Sequence, residues 1–112
     1  MLSPSRSLAA RLARLPYTPG GPLMAAADTD ILTRALDCLA KDDWPGAHEL
    51  VQDLESPLAY WIHGLVHKMQ GDLDNSRYWY RKAGATAIQW SEQTVAAQIG
   101  ELQRRLCATA RR

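Results

Sequence analysis

The chain has no apolar run near the roughly 18 residues that a membrane-crossing helix requires, so no membrane partner is expected. It also lacks a strong charge imbalance. Thirteen basic residues face twelve acidic ones, a net charge of +1 at pH 7, which gives little electrostatic steering towards nucleic acid or a lipid surface. Arg104, Arg105, Arg111 and Arg112 form a terminal basic patch. Cations suit the C-terminal end of a helix dipole, whereas nucleic-acid recognition asks for a broader basic face with stacking aromatics. Only two cysteines occur, Cys38 and Cys107. They are far apart, without metal or redox spacing, and read as small hydrophobes on helices of a cytoplasmic protein. Common catalytic templates are missing as well: no Gly-rich phosphate loop, no Gly-x-Ser-x-Gly, no Cys–His pair in a recognisable frame. An enzyme is therefore the less favoured class, and no catalytic residue is assigned.

Acids are absent from the first 27 residues, which carry Arg6, Arg11 and Arg14. Residues 8–15 can form two turns of basic amphipathic helix, which Pro16, Pro19, Gly20, Gly21 and Pro22 then stop. Residues 1–27 are expected to be a disordered tail or leader, with Met1 and Met24 both open as the start. An acid-free, Arg- and Ser-bearing stretch over residues 1–23 is also the composition of an organelle transit peptide. Arg11 and Arg14 interrupt the apolar stretch and argue against a secretory signal.

The 112 residues point to one domain, of a size that is marginally stable. Residues 28–110 read as all-α, in about five helices. Asp28, Thr29 and Asp30 offer cap oxygens and acids for a first helix, on which Ile31, Leu32, Ala35, Leu36 and Leu39 recur at helical spacing. A second helix opens at Asp43 or Trp44, with Pro45 in its first turn and Ala47, Leu50, Val51 and Leu54 inside. Ser56 and Pro57 repeat that start signal for a third helix reaching Gln70. Its apolar residues cover so wide a face that it must pack on more than one side. Gly71 closes it with a left-handed cap. A fourth helix covers residues 74–83. Residues 85–90 read as a loose segment, after which Ser91 can cap a last helix carrying Val95, Ile99, Leu102 and Leu106, a seam for one partner helix.

Aromatic residues concentrate in the middle. Five of the eight Trp and Tyr residues fall within residues 60–84, around the Gly71-Asp72 turn. An internal echo accompanies them: the acidic turn, apolar anchor and small residue at Asp43, Trp44 and Ala47 reappear at Asp72, Leu73 and Ser76. The offset from Ala47 to Ser76 is 29 residues.

These features resemble the tetratricopeptide repeat. Tyr60 and Gly64 fit its first helix; Gly71 fits its turn; Ser76, Tyr80 and Ala83 fit its second helix. The resemblance covers residues 28–84 and implies two antiparallel helical hairpins with the last helix as a cap. It also implies protein–protein interaction or scaffolding, with a protein or peptide partner in a groove. By that resemblance the groove face includes Trp61, Leu65 and Lys68; Trp61 reads equally as core against the first helix. The offset is shorter than the family's ~34 residues, and His63 and His67 stand where that family places core residues. Ala-His-Glu, Trp-Ile-His and Tyr-Trp-Tyr-Arg also resemble a group of short bacterial proteins, which implies no activity.

Two clusters carry chemistry. His63 and His67 are four apart, so their rings share one helix face. With His48, and with Glu49 or Asp72 completing the set, they can bind a divalent metal. The alternative is that the rings are polar spacers at the core rim, bonded to a carbonyl or to Asp53, Glu55 or Asp72. On the fourth helix, Trp79, Tyr80 and Ala83 should turn inward with Ser76, leaving Tyr78, Arg81 and Lys82 outside. Tyr78 beside Arg77 and Arg81 suits a partner carboxylate or a planar anionic small molecule, in a pocket expected near Tyr60, His67 and Tyr78. A cation–π stack closed on itself is the plainer reading. Asp72 reads as a turn and cap residue. Surplus aromatics on a small core also admit a homodimer.

Overall fold

The structure, a computed structural model, describes the backbone of residues 22–110 and the side chains of residues 28–109. Residues 1–21 of the expected leader lie outside it. The described residues form six helices and no strand: α1 (Pro22–Ala40), α2 (Trp44–Val51), α3 (Pro57–Gln70), α4 (Leu73–Ala83), α5 (Ala85–Trp90) and α6 (Val95–Ala110). Among them no helix is long and apolar enough to cross a membrane.

Local chemistry sets most boundaries. Asp43 caps α2 by accepting from the Gly46 amide at 3.0 Å, and Ser56 caps α3 by accepting from the Ala59 amide at 3.2 Å. Asp72 caps α4 through the Asn75 amide at 3.3 Å. Gly71 ends α3 at φ +93°, a left-handed geometry that costs any residue with a Cβ. Three boundaries depart from expectation. The first helix begins at Pro22, ahead of Asp28, because proline suits a first helical turn and Ala25, Ala26 and Ala27 are the strongest helix formers. Residues 85–90 are not loose: Gly84, at φ +114°, ends α4 and redirects the chain into the short α5, which buries Ala87. The cap of the last helix is Thr94, whose Oγ1 accepts from the Ala97 amide at 3.0 Å, while Ser91 donates to the Ile88 carbonyl.

The core lies along α3, where Trp61 to Val66 are all buried. Helix α1 packs against α2, α2 against α3 and α3 against α4, and α6 runs back across α1 and touches α3. Helices α3 and α4 form an antiparallel hairpin locked at one close approach: the Ser76 hydroxyl donates to the Gly64 carbonyl at 2.8 Å. A Cβ on Gly64 would stand 3.0 Å from the Tyr80 ring, so glycine is what admits the tyrosine there. Helix α6 brings Ile99, Leu102 and Leu106 into the core, each worth about 1.5–3 kcal/mol in removed apolar surface. Cys38 is half-buried against the core as expected, whereas Cys107 is exposed. Beside the α6 stripe, Gln98 is completely buried. Its Oε1 accepts from Trp61 Nε1 at 3.0 Å and from the Tyr80 hydroxyl at 2.6 Å, and its Nε2 donates to the Gln93 carbonyl at 2.9 Å.

Candidate metal centre

The one-turn spacing on α3 stacks His63 and His67, their ring centres 5.0 Å apart and their planes 20° from parallel. Helix α2 adds His48 from the side. Ala47 and Val51 bury α2 in the core, and the next position, His48, leans on α3 edge-on to both rings, at 4.8 Å from His63 and 5.4 Å from His67. The possible ligand atoms of all three lie within 4.8 Å of one another. Neither Glu49 nor Asp72 joins this group.

The rim-spacer alternative required hydrogen bonds to carbonyls or carboxylates. His48 and His63 make none among the described residues, and no carboxylate pairs with any of the three rings. The single ring hydrogen bond joins His67 Nδ1 to Gln70 Oε1 at 2.8 Å. An amide oxygen only accepts, so Nδ1 is the donor in this contact and Nε2 is turned away from it, the arrangement outer partners give metal-binding histidines.

Behind His63 lies Trp79, ring on ring at 3.9 Å and 8° from parallel. That contact covers the imidazole face but not its edge, and a metal–nitrogen bond lies in the ring plane. Burial lowers the affinity of His63 and His48 for protons. It pulls the His63 imidazole down to about 3, with neighbouring His48, His67 and Lys82 adding in that order. Burial, then the charge of His67, also lowers His48. Neutral imidazole is the ligand form, so little proton displacement opposes metal uptake. Bonds of 2.0–2.1 Å at tetrahedral angles place nitrogens about 3.3 Å apart. The ligand atoms lie within 4.8 Å of one another, so closing on one ion requires the rings to turn about their side-chain bonds.

The other candidates disperse. Trp61 and Leu65 are 2% and 0% exposed, which corrects their reading as groove residues. Trp61 is core, with Trp90 and Arg105 against its ring, so α5 and α6 cover that face of α3. Lys68 is tied down too: its Nζ donates to the Ser91 carbonyl at 2.6 Å and the Gln93 carbonyl at 3.3 Å, holding the turn into α6. Tyr78 and Arg81 are exposed as expected. Arg77 is committed to Asp74 at 2.6 Å, and Arg104 and Arg105 both bind Glu101. The expected small-molecule pocket near Tyr60, His67 and Tyr78 is shifted. A cavity of about 410 Å³ opens at Tyr60 and Trp79, with Asp53, Glu55 and Lys82 on its walls.

Two features escaped the sequence reading. The stacking of Trp79 on His63 has no signature along the chain. Gln98 had one, since it is a polar residue placed on the buried stripe that Val95 and Leu102 define. Comparison with family models, with curated proteins and with solved structures finds no match to this chain.

Proposed function

We propose that this chain holds a divalent transition-metal ion, zinc foremost, between His48, His63 and His67. The observation that carries the reading is the convergence of three imidazoles from two helices, two of them with no hydrogen-bond partner among the described residues. An all-imidazole set suits zinc, copper, nickel or iron and not the oxygen-seeking calcium or magnesium. Three protein ligands leave a fourth position for water or an added ligand.

The scaffold in this reading is a pair of tetratricopeptide-like hairpins, α1–α2 and α3–α4, supported by the Gly64–Ser76–Tyr80 lock. The metal then bridges them, with His48 on the first hairpin and His63 and His67 on the second. Protein docking, the other role open from the sequence, retains Tyr78 and Arg81 on the surface. Its groove residues Trp61 and Leu65 are buried and Lys68 is engaged, so the geometry favours metal.

Titration of untagged, chelator-treated protein with Zn²⁺ or Co²⁺ tests this. Binding at one site per chain should raise stability by about 2.7 kcal/mol at a hundredfold excess over Kd. His48→Ala and His67→Ala, at half-buried positions, should each weaken it by about 100-fold or more, beyond what loss of an outer partner does. Binding unchanged in both variants, or no uptake at all, ends the proposal.

A further inference from the structure

We infer that the cleft between the α2–α3 loop and the Tyr60–Trp79 wall binds an organic cation, a methylated ammonium group, in the place now taken by the Lys82 side chain. The cleft is the 410 Å³ cavity described above, within the size range of small-ligand sites. It is not the anion pocket that Arg77 and Arg81 suggested, because neither arginine lines it, and the carboxylates of Asp53 and Glu55 outnumber Lys82 on its walls. Neither makes an ion pair or hydrogen bond among the described residues.

A cation already sits at the site. The Lys82 ammonium stands 4.9 Å from the centre of the Tyr60 ring, 5.0 Å from that of Trp79 and 5.7 Å from that of Tyr78. Among the described residues it pairs with no carboxylate and donates no hydrogen bond, so ring faces hold it. Three rings converging on one positive charge make a cage, and such cages favour methylated ammonium groups. A bare ammonium is compact and strongly hydrated and prefers oxygen partners; methylation removes its donors and spreads its charge over an apolar surface that fits ring faces. Two unpaired carboxylates against one lysine leave the cleft net negative, which attracts a further cation. Lys82 is exposed on a flexible stem, so the ligand can displace it.

The ligand can be a free quaternary ammonium or a trimethyl-lysine side chain on a peptide, and the test separates them. The full chain, with chelator present to keep the histidine cluster out of play, is titrated with tetramethylammonium, choline, a trimethyl-lysine peptide and the neutral isostere 3,3-dimethylbutanol. Ionic strength is matched, and tryptophan fluorescence and ring-proton chemical shifts are followed. Saturable binding of the cations and not of the isostere is expected. The peptide binding more tightly than choline identifies a methylated protein as the source, and equal binding identifies a free ammonium compound. Lys82→Ala removes the internal competitor and should tighten binding by roughly three- to tenfold. Tyr60→Leu should weaken it by about tenfold, with circular dichroism confirming that both variants fold. An isostere that binds as well as the cation, or a Lys82→Ala protein with no saturable response by about 50 mM ligand, overturns the inference.

Discussion

Replacing Gln98 by leucine isolates what a single buried acceptor contributes to this fold. The amide oxygen serves two donors, Trp61 Nε1 and the Tyr80 hydroxyl, at 3.0 and 2.6 Å, and both donors sit on residues no more than 4% exposed. Leucine is apolar and of similar bulk, so the cavity stays filled while both donors lose their partner. An unsatisfied buried donor costs about 1–3 kcal/mol, giving about 2–6 kcal/mol for the pair. Against that, an amide no longer has to be desolvated, which returns about 1–2 kcal/mol. A net loss of about 1–4 kcal/mol is a large share of the 5–15 kcal/mol typical of a domain. At about 4–8 °C per kcal/mol, the melting temperature should fall by about 4–30 °C. Urea unfolding followed by circular dichroism and tryptophan fluorescence measures it. The reasoning also requires coupling: in a Trp61→Phe, Tyr80→Phe background, where no donor remains, the cost of Gln98→Leu should drop by about 1 kcal/mol or more. A Gln98→Leu protein within about 0.5 kcal/mol of the parent, the range of an ordinary surface change, would refute it.

Gly64→Ala tests the α3–α4 lock. Its new Cβ meets the Tyr80 ring at 3.0 and 3.1 Å and the Ser76 carbonyl at 3.4 Å, and the ring cannot retreat while its hydroxyl is bonded to Gln98. Overpacking of about 1–3 kcal/mol, less about 1 kcal/mol of helix propensity, leaves a net loss of about 0–2 kcal/mol; a thermal melt showing a gain would contradict the fixed ring. The metal-free protein should also lose stability in mild acid. His63, facing His48 from α2, His67 on its own helix and Lys82 from α4, is depressed from 6.5 to about 3. The unfolded chain therefore binds its proton more readily. Stability is fully present above pH 6.5 and drains as pH falls towards 3. Denaturant midpoints between pH 7 and 5, above the carboxylate range, should slope in the parent and slope less in His63→Leu, where His48 keeps its own smaller share.

How much of this was legible along the chain follows from the distance over which each interaction acts. The caps at Asp43, Ser56 and Asp72 bind amides three residues ahead, and Gly71 needs only its own backbone freedom, so the residues in order announce these breaks. The pairing of His63 with His67 is likewise a property of one helix, fixed by 3.6 residues per turn. A first helix extended back to Pro22 and a helical α5 were missed because punctuation by proline and glycine reads the same whether it starts a helix or stops one.

The sequence by itself determined that the chain is helical, where most of its helices begin and end, and that two imidazoles share a face, because those outcomes depend on neighbours within one turn. Only the tertiary structure decided which side of α3 is covered. Trp61 and Gln98 are 37 residues apart and Tyr80 and Gln98 are 18 apart, and α6 could bury the groove face only by returning across α1. The same docking of α2 on α3 brought His48 to its partners and left Asp53 and Glu55 beside the rings that hold Lys82. Helix-to-helix packing depends on side-chain shapes meeting across space, and a linear pattern does not encode which faces will meet.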